Sequence, residues 1–255
     1  MGLGSKHFFG ALLPVFIFGS VAAQQTIRKP SDPVGFATKA WQMDSVMNRI
    51  LRIQDQQLRS ARERNEIADF TSWKTVICPH DDYTYVGWLY PAALANIGAK
   101  TVILIGVAHK AKMFGLENKL IFGSFEKWAA PYGPVRVSIL QSRITNNLSR
   151  SSYIVHDSLM MIEHSLEALV PFLQYYNKSV EIIPVLVPAM SFKTMNGLAL
   201  SLALAITKVM QENNLNWRRD IAIVISNDAV HYGDLGWGGQ DYAPNGADTG
   251  GYRKA

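Results

Sequence analysis

Short, uninterrupted apolar runs alternate along this chain with longer stretches of helical period, and that alternation restricts the fold more than any other feature. Thr75–Pro79 and Thr101–Gly106 are the first two runs, and Trp88–Ile97 between them has helical spacing. Strand, helix and strand within about 30 residues make a βαβ unit. Val102-Ile-Leu-Ile105 shows no polar alternation, which marks a parallel strand buried on both faces. Val180–Val187 and Asp220–Ile225 read as third and fourth core strands. Helices are predicted over Ser158–Tyr176, over Phe192–Gln211, and from Phe36 to Glu66, where Met43, Met47, Ile50 and Leu58 recur at roughly helical spacing. Leu120–Val137 holds short β-like runs and the turn Pro131-Tyr-Gly-Pro134, which suggests a hairpin insertion. The glycine-rich end, Gly233–Ala255, reads as loop. The fold class expected is α/β, with a mostly parallel central sheet and helices on both faces.

Three of the predicted strands end in residues capable of chemistry: Pro79-His80-Asp81-Asp82, Gly106-Val-Ala-His109 and Ser226-Asn227-Asp228. Ligands of open α/β sheets bind outside the carboxyl ends of the strands, so these groups are expected to converge. Beyond the N-terminal segment the histidines are His80, His109, His156, His164 and His231. Neutral imidazole suits iron, zinc and copper, and two histidines with one carboxylate make the facial site of non-haem iron enzymes. Asp228 and His231, three apart, offer a ligand and an acid–base group, since imidazole titrates near neutrality. A lone histidine at a strand end is more often a structural hydrogen-bonding residue; three together weaken that reading. The chain has no H-E-x-x-H, C-x-x-C, P-loop or G-x-S-x-G motif. Asp81 and Asp82 read equally as carboxylates beside a metal or as an Asx-type turn after Pro79. Glu163 and Glu167 are i,i+4 neighbours on the predicted helix, where acids at its start favour the dipole. Tyr83, Tyr85, Trp88 and Tyr90 read as packing under a loop rather than as a substrate wall. Gly236-Trp-Gly-Gly239 is a candidate pocket wall.

Composition excludes some classes and adds one feature. Apolar residues make up 48% and charged residues 18%, which places the chain among ordinary globular proteins. The net charge of +5 is small and dispersed, which argues against a nucleic-acid partner. The basic cluster Arg59, Arg62, Arg64 reads as a solvated helix face. Lys6, the apolar stretch Phe8–Phe18 and the small residues Gly19–Ala23 read as a secretory signal peptide over residues 1–23, followed by an irregular lead-in over 24–35. The stretch is shorter than the roughly 20 residues that span a bilayer, so an exported protein with no stable membrane insertion is expected. Cys78 is the only cysteine, which leaves no internal disulfide. It reads as a small buried hydrophobe, with a role beside His80 left open.

The chain resembles the Memo-like family (AmmeMemoRadiSam system protein B), whose structural relatives are the class III extradiol dioxygenases. The matching blocks are Ile77-Cys-Pro-His-Asp-Asp-Tyr-Thr-Tyr-Val-Gly87, Val102-Ile-Leu-Ile-Gly-Val-Ala-His109, Glu163-His-Ser-Leu-Glu-x-x-x-Pro-Phe172, Ile182-Ile-Pro-Val-Leu-Val187 and Val224-Ile-Ser-Asn-Asp-Ala-Val-His-Tyr232. They fall in the family's order over about residues 75–240. The resemblance implies metal-ligand positions at His80 and His109. It implies an acid–base role for His231, with Asp228 assisting, and a catalytic rather than ligand place for His164, turned toward the crevice. The chain departs from the family at Asp81 and Asp82, where small residues are usual, and at Leu169, which replaces a histidine. The family's third metal-binding side chain, a Cys in Memo or a Glu in the dioxygenases, comes from a segment later than residue 255. The domain over 36–255 is therefore expected to be truncated at its C-terminus, and Cys78 does not occupy that third position.

The resemblance implies a divalent or redox metal, Fe(II) or Cu first and Zn also allowed. The activity it suggests is non-haem redox or dioxygenase-like chemistry on a small aromatic or phenolic compound. The alternatives are a non-catalytic module that binds a metal or a peptide, and a metal-dependent hydrolase.

Overall fold

A computed structural model describes residues 1, 27–68, 71–227, 243–246 and 248–254. In chain order the elements are β1 (Ile27–Arg28), α1 (Ala40–Arg64), β2 (Thr75–Pro79), α2 (Tyr83–Val86), α3 (Leu89–Leu94), β3 (Thr101–Val107) and a 3-10 turn (Ala111–Phe114). There follow β4 (Leu120–Phe122), β5 (Lys127–Trp128), β6 (Val135–Val137), α4 (Leu140–Asn146), β7 (Tyr153–Val155), α5 (Asp157–Ile162) and α6 (Val170–Tyr176). The last are β8 (Glu181–Val187), α7 (Phe192–Glu212), β9 (Ile221–Asn227) and α8 (Thr249–Lys254).

The strands form one sheet in the order β1-β5-β6-β8-β3-β9-β2, with β4 bridging β8 to β7. All pairings along that path are parallel except β5 with β6. The expected α/β class is observed. β3 lies in the middle, with Val102 opposite Ile182 on one side and Ala222 on the other. Its side chains alternate between two cores, as the period of a strand requires. Val102 and Leu104 pack toward α1, α3 and α6, where Met43, Met47, Leu94 and Phe172 close the core. Ile103 packs toward α4 and α7, with Ile144, Leu202, Ile206 and Val209. Each core strand therefore needs apolar residues at successive positions, which is why β3 and β8 read as continuous apolar runs.

The structure departs from the sequence reading at several places. The helix predicted over 158–176 is two helices, α5 and α6, separated by the segment 163–169. The buried carboxylates of Glu163 and Glu167 bond to groups outside a helix, so the chain leaves helical geometry between them. The hairpin in 120–137 is only β5 with β6; β4 instead joins β7 and β8. α1 begins at Ala40 rather than Phe36, because Gln42 Oε1 accepts from the Thr38 and Lys39 amides and fixes the start there. The lead-in contributes β1, and the terminal glycine-rich stretch includes α8. Among the described residues no helix is long and apolar enough to cross a membrane. The expected signal peptide lies outside the described residues apart from Met1.

Candidate metal centre

Because β2, β9 and β3 are parallel neighbours, their carboxyl ends share one edge of the sheet. His80 follows the last residue of β2, Ser226 lies at the end of β9, and His109 comes two residues after β3. The segment between α5 and α6 is fastened onto this edge. Ser165 Oγ donates to the Val107 carbonyl at 2.7 Å, and Ser226 Oγ donates to the Ser165 carbonyl at 2.5 Å. Gly106 permits the approach: a Cβ there would lie 2.5 Å from Leu166 Cδ2 and 2.8 Å from Ser165 Oγ.

His80, His109 and His164 meet at this edge. Each offers one ring nitrogen, and the three nitrogens lie within 4.8 Å of one another, which puts a shared ion within reach of all. The His109 and His164 rings are stacked, with centroids 5.0 Å apart, and both meet His80 edge-on.

The hydrogen bonds decide which nitrogens can ligate. Ser226 has one hydroxyl proton, and the Ser165 carbonyl can only accept, so that proton goes to Ser165. Toward His80 Nδ1, 2.7 Å away, Ser226 must accept. Nδ1 of His80 therefore carries the ring proton, and Nε2 keeps the lone pair. His109 is oriented by a carboxylate: its Nδ1 lies 2.9 Å from Glu163 Oε1. Burial raises the Glu163 pKa, but the His109 hydrogen bond, the Ser165 amide and the two nearby imidazoles outweigh it and hold the carboxyl down to about 2. An ionised carboxylate can only accept, so His109 Nδ1 donates and the ring's lone pair lies on Nε2. Oε1 also accepts from the His164 and Ser165 amides at 2.9 and 3.1 Å. Histidines that bind metals are held in this way, by a carboxylate or another acceptor on the far nitrogen. The donor set thus fits a metal on chemical grounds.

The cluster opens into a cleft of ≈ 950 Å³ whose walls include Asp32, Phe36, Asp82, Tyr85 and Lys110. His80 is buried, and the His109 and His164 side chains face the cleft. The Lys110 Nζ donates to the Ile162 carbonyl at 2.9 Å, which ties the turn after β3 to the end of α5.

The sequence-predicted site residues separate into three groups. His80, His109 and His164 are brought together. Asp228, His231 and the Gly236–Gly239 loop lie outside the described residues. His156 takes no part in the three-histidine cluster: its Nδ1 accepts from the Leu159 amide at 3.1 Å and starts α5. Asp81 and Asp82 both line the cleft; the Asp81 Oδ1 accepts from the adjacent Asp82 amide at 2.7 Å, one residue short of the i+2 bond of an Asx turn. Tyr90 Oη bonds the amide and carbonyl of Asp81 and stacks on Phe172, so it packs under the loop as expected. Cys78 is fully buried, and burial pushes its thiol up to about 12. Arg28 is not singled out by the sequence, and Ser226 reads only as part of the polar strand end Ser226-Asn227-Asp228, with no role of its own. Ser226 stands one place before Asn227-Asp228 in a strand pattern, and nothing in periodicity distinguishes it.

The architecture defines an α/β protein with a histidine-rich edge site of the metal-binding kind. The model of the Memo-like protein family matches residues 48–247, and the chain belongs to that family. It is 30% identical over 163 residues to a MEMO1 family protein of Sulfurisphaera tokodaii, covering 61% of this chain and 52% of the relative. A MEMO1 family protein of Thermotoga maritima is 30% identical over 164 residues, with 62% and 54% covered. The chain spans about half the length of the curated relatives it matches.

Proposed function

We propose that this protein is a metalloprotein in which Nε2 of His80 and of His109, joined by His164, hold a non-haem iron or copper ion. We further propose that it performs dioxygenase-like redox chemistry on a small aromatic or phenolic compound in the adjoining cleft. The observation that carries the reading is the convergence of three imidazoles with two of their far nitrogens already committed to Glu163 and Ser226. The structural kinship of the Memo-like family to class III extradiol dioxygenases, which the family resemblance implies, supports the redox part.

A bound ion would supply Lewis acidity and, as iron or copper, a route for electrons. The chain's own groups do the rest. Glu163 fixes the His109 ring, Ser226 fixes His80, and Phe36 and Tyr85 give the cleft an aromatic side against which a ring can lie. Asp228 and His231 follow β9 in the chain; in this reading His231 moves a proton and Asp228 orients it. The apolar N-terminal segment supports export through a signal peptide cleaved after Ala23, ahead of a single domain that takes in the lead-in strand β1.

Elemental analysis of the purified mature protein tests the proposal. Iron or copper in stoichiometric amount is expected, with loss in the His80→Ala/His109→Ala double variant. Unchanged metal content in that variant sinks the site. Zinc content with no oxygen uptake on a panel of phenols would replace the redox reading with a hydrolytic one.

A further inference from the structure

The polar segment before α1 is built into the metal centre. Arg28, on β1, is 1% exposed. Its Nε donates to the Met160 carbonyl at 2.8 Å, and its Nη2 donates to the Glu163 carbonyl at 2.6 Å. The same Nη2 pairs with Glu167 Oε2 at 2.7 Å. Glu167, also buried, accepts from the Ser31 amide at 2.9 Å, from Ser31 Oγ at 2.7 Å and from the Asp32 amide at 3.1 Å. The Trp128 ring covers the guanidinium at 4.2 Å.

One guanidinium thus grips both ends of a short stretch of chain: the carbonyl of Glu163 at its start and the carboxylate of Glu167 at its finish. His164 lies between them. A planar fork of five donors can make this set of bonds at once, which the point charge of a lysine cannot. The same network seats Ser31 and Asp32 beside the cleft, with Phe36 following. A buried ion pair is weak evidence for stability, because desolvation offsets much of the attraction, and an apolar pair in its place is often no less stable. What this pair does supply is a fixed path for residues 163–167. Arg28 also precedes residue 48, where the family match begins.

We propose that Arg28 and Glu167 are positioning residues of the metal centre, holding residues 163–167 so that His164 faces His80 and His109. The inference rests on the metal site proposed above. Cobalt(II) binding to the full chain tests it, with affinity from competition against a chromophoric chelator and ligand count from the visible spectrum. Arg28→Met is expected to weaken binding about 10- to 100-fold, the usual effect of losing an outer partner of a ligand, and to give the spectrum of His164→Ala. Adding Arg28→Met to His164→Ala is expected to cost little further affinity, because both remove the same ligand. Should Arg28→Met not fold, Glu167→Gln removes the charge pair with less disturbance and is expected to shift affinity and spectrum the same way. Wild-type affinity and spectrum in the folded variants overturn the inference. So does a full, additive loss on top of His164→Ala, which would make the pair merely structural. Failure of the underlying site looks different: wild-type protein that does not bind cobalt, or His164→Ala that binds it as well as wild type, removes the three-histidine site whatever Arg28 does.

Discussion

Ser226→Ala tests the proton assignment at the centre of the site. Ser226 is 3% exposed, and its hydroxyl is the acceptor for His80 Nδ1 and the donor to the Ser165 carbonyl. Alanine deletes both bonds in a place water does not reach. Each buried polar group deprived of its partner costs roughly 1–3 kcal/mol, so with two groups left unpaired the metal-free protein is expected to lose about 2–6 kcal/mol. The second effect is on the metal. Without an acceptor at Nδ1, the His80 tautomer with a lone pair on Nε2 is no longer selected, and affinity is expected to fall about 10- to 100-fold. Denaturant unfolding with and without metal reads both effects in one assay. At free metal 100 times the dissociation constant, binding adds about 2.7 kcal/mol to stability; a hundredfold weaker site at the same concentration adds only about 0.4 kcal/mol. Loss of metal-free stability together with a collapsed metal increment is the expected result. A variant whose metal increment equals that of wild type would refute the tautomer argument, whatever its stability.

Three further outcomes follow from the same geometry. Gly106→Ala forces a methyl onto Leu166 and Ser165, and overpacking of this kind costs about 1–3 kcal/mol; metal affinity should drop with it, as measured by titration, because the displaced segment carries His164. Glu163→Gln keeps an acceptor for His109 but discards its charge, so metal affinity should weaken about tenfold or more, with circular dichroism unchanged; equal affinity would show that the carboxylate does not orient the ligand. Cys78, held up to about 12 by burial, should resist thiol reagents in the folded protein at neutral pH and react only on unfolding. The sign of its linkage is fixed: the unfolded thiol ionises first, so this group favours unfolding as pH rises between its ordinary value of 9.0 and about 12. Rapid labelling of native protein would contradict the burial.

Periodicity made the core strands legible, since β3 and β8 are covered on both faces and every position must be apolar. It failed where tertiary contacts override helical spacing. Residues 158–176 carry an apolar helical pattern, yet Glu163 bonds His109 from β3 and Glu167 bonds Ser31 from the lead-in, and the helix breaks between them. The short strands β1 and β7 were missed because two or three residues give no period to read. Strand ends pointed to His80 and His109 because the carboxyl edge of a parallel sheet gathers whatever follows each strand. Strand ends could not bring in His164, which reaches the site from a connection between helices and is indicated only by the family's Glu-His-Ser block.

By itself the sequence determined the layered α/β fold and the family, and it named all three clustered histidines, two from strand ends and His164 through the family's Glu-His-Ser block, because those depend on local period and on motifs carried within a few residues. The tertiary structure alone decided which nitrogen of His80 and of His109 keeps its lone pair, that His164 stands close enough to both to share an ion, and that Arg28 reaches the same segment from far along the chain. Those features rest on single hydrogen bonds between residues separated by 54 to 146 positions. Such bonds leave no periodic trace, and they form only once the sheet has brought its strand ends to one edge.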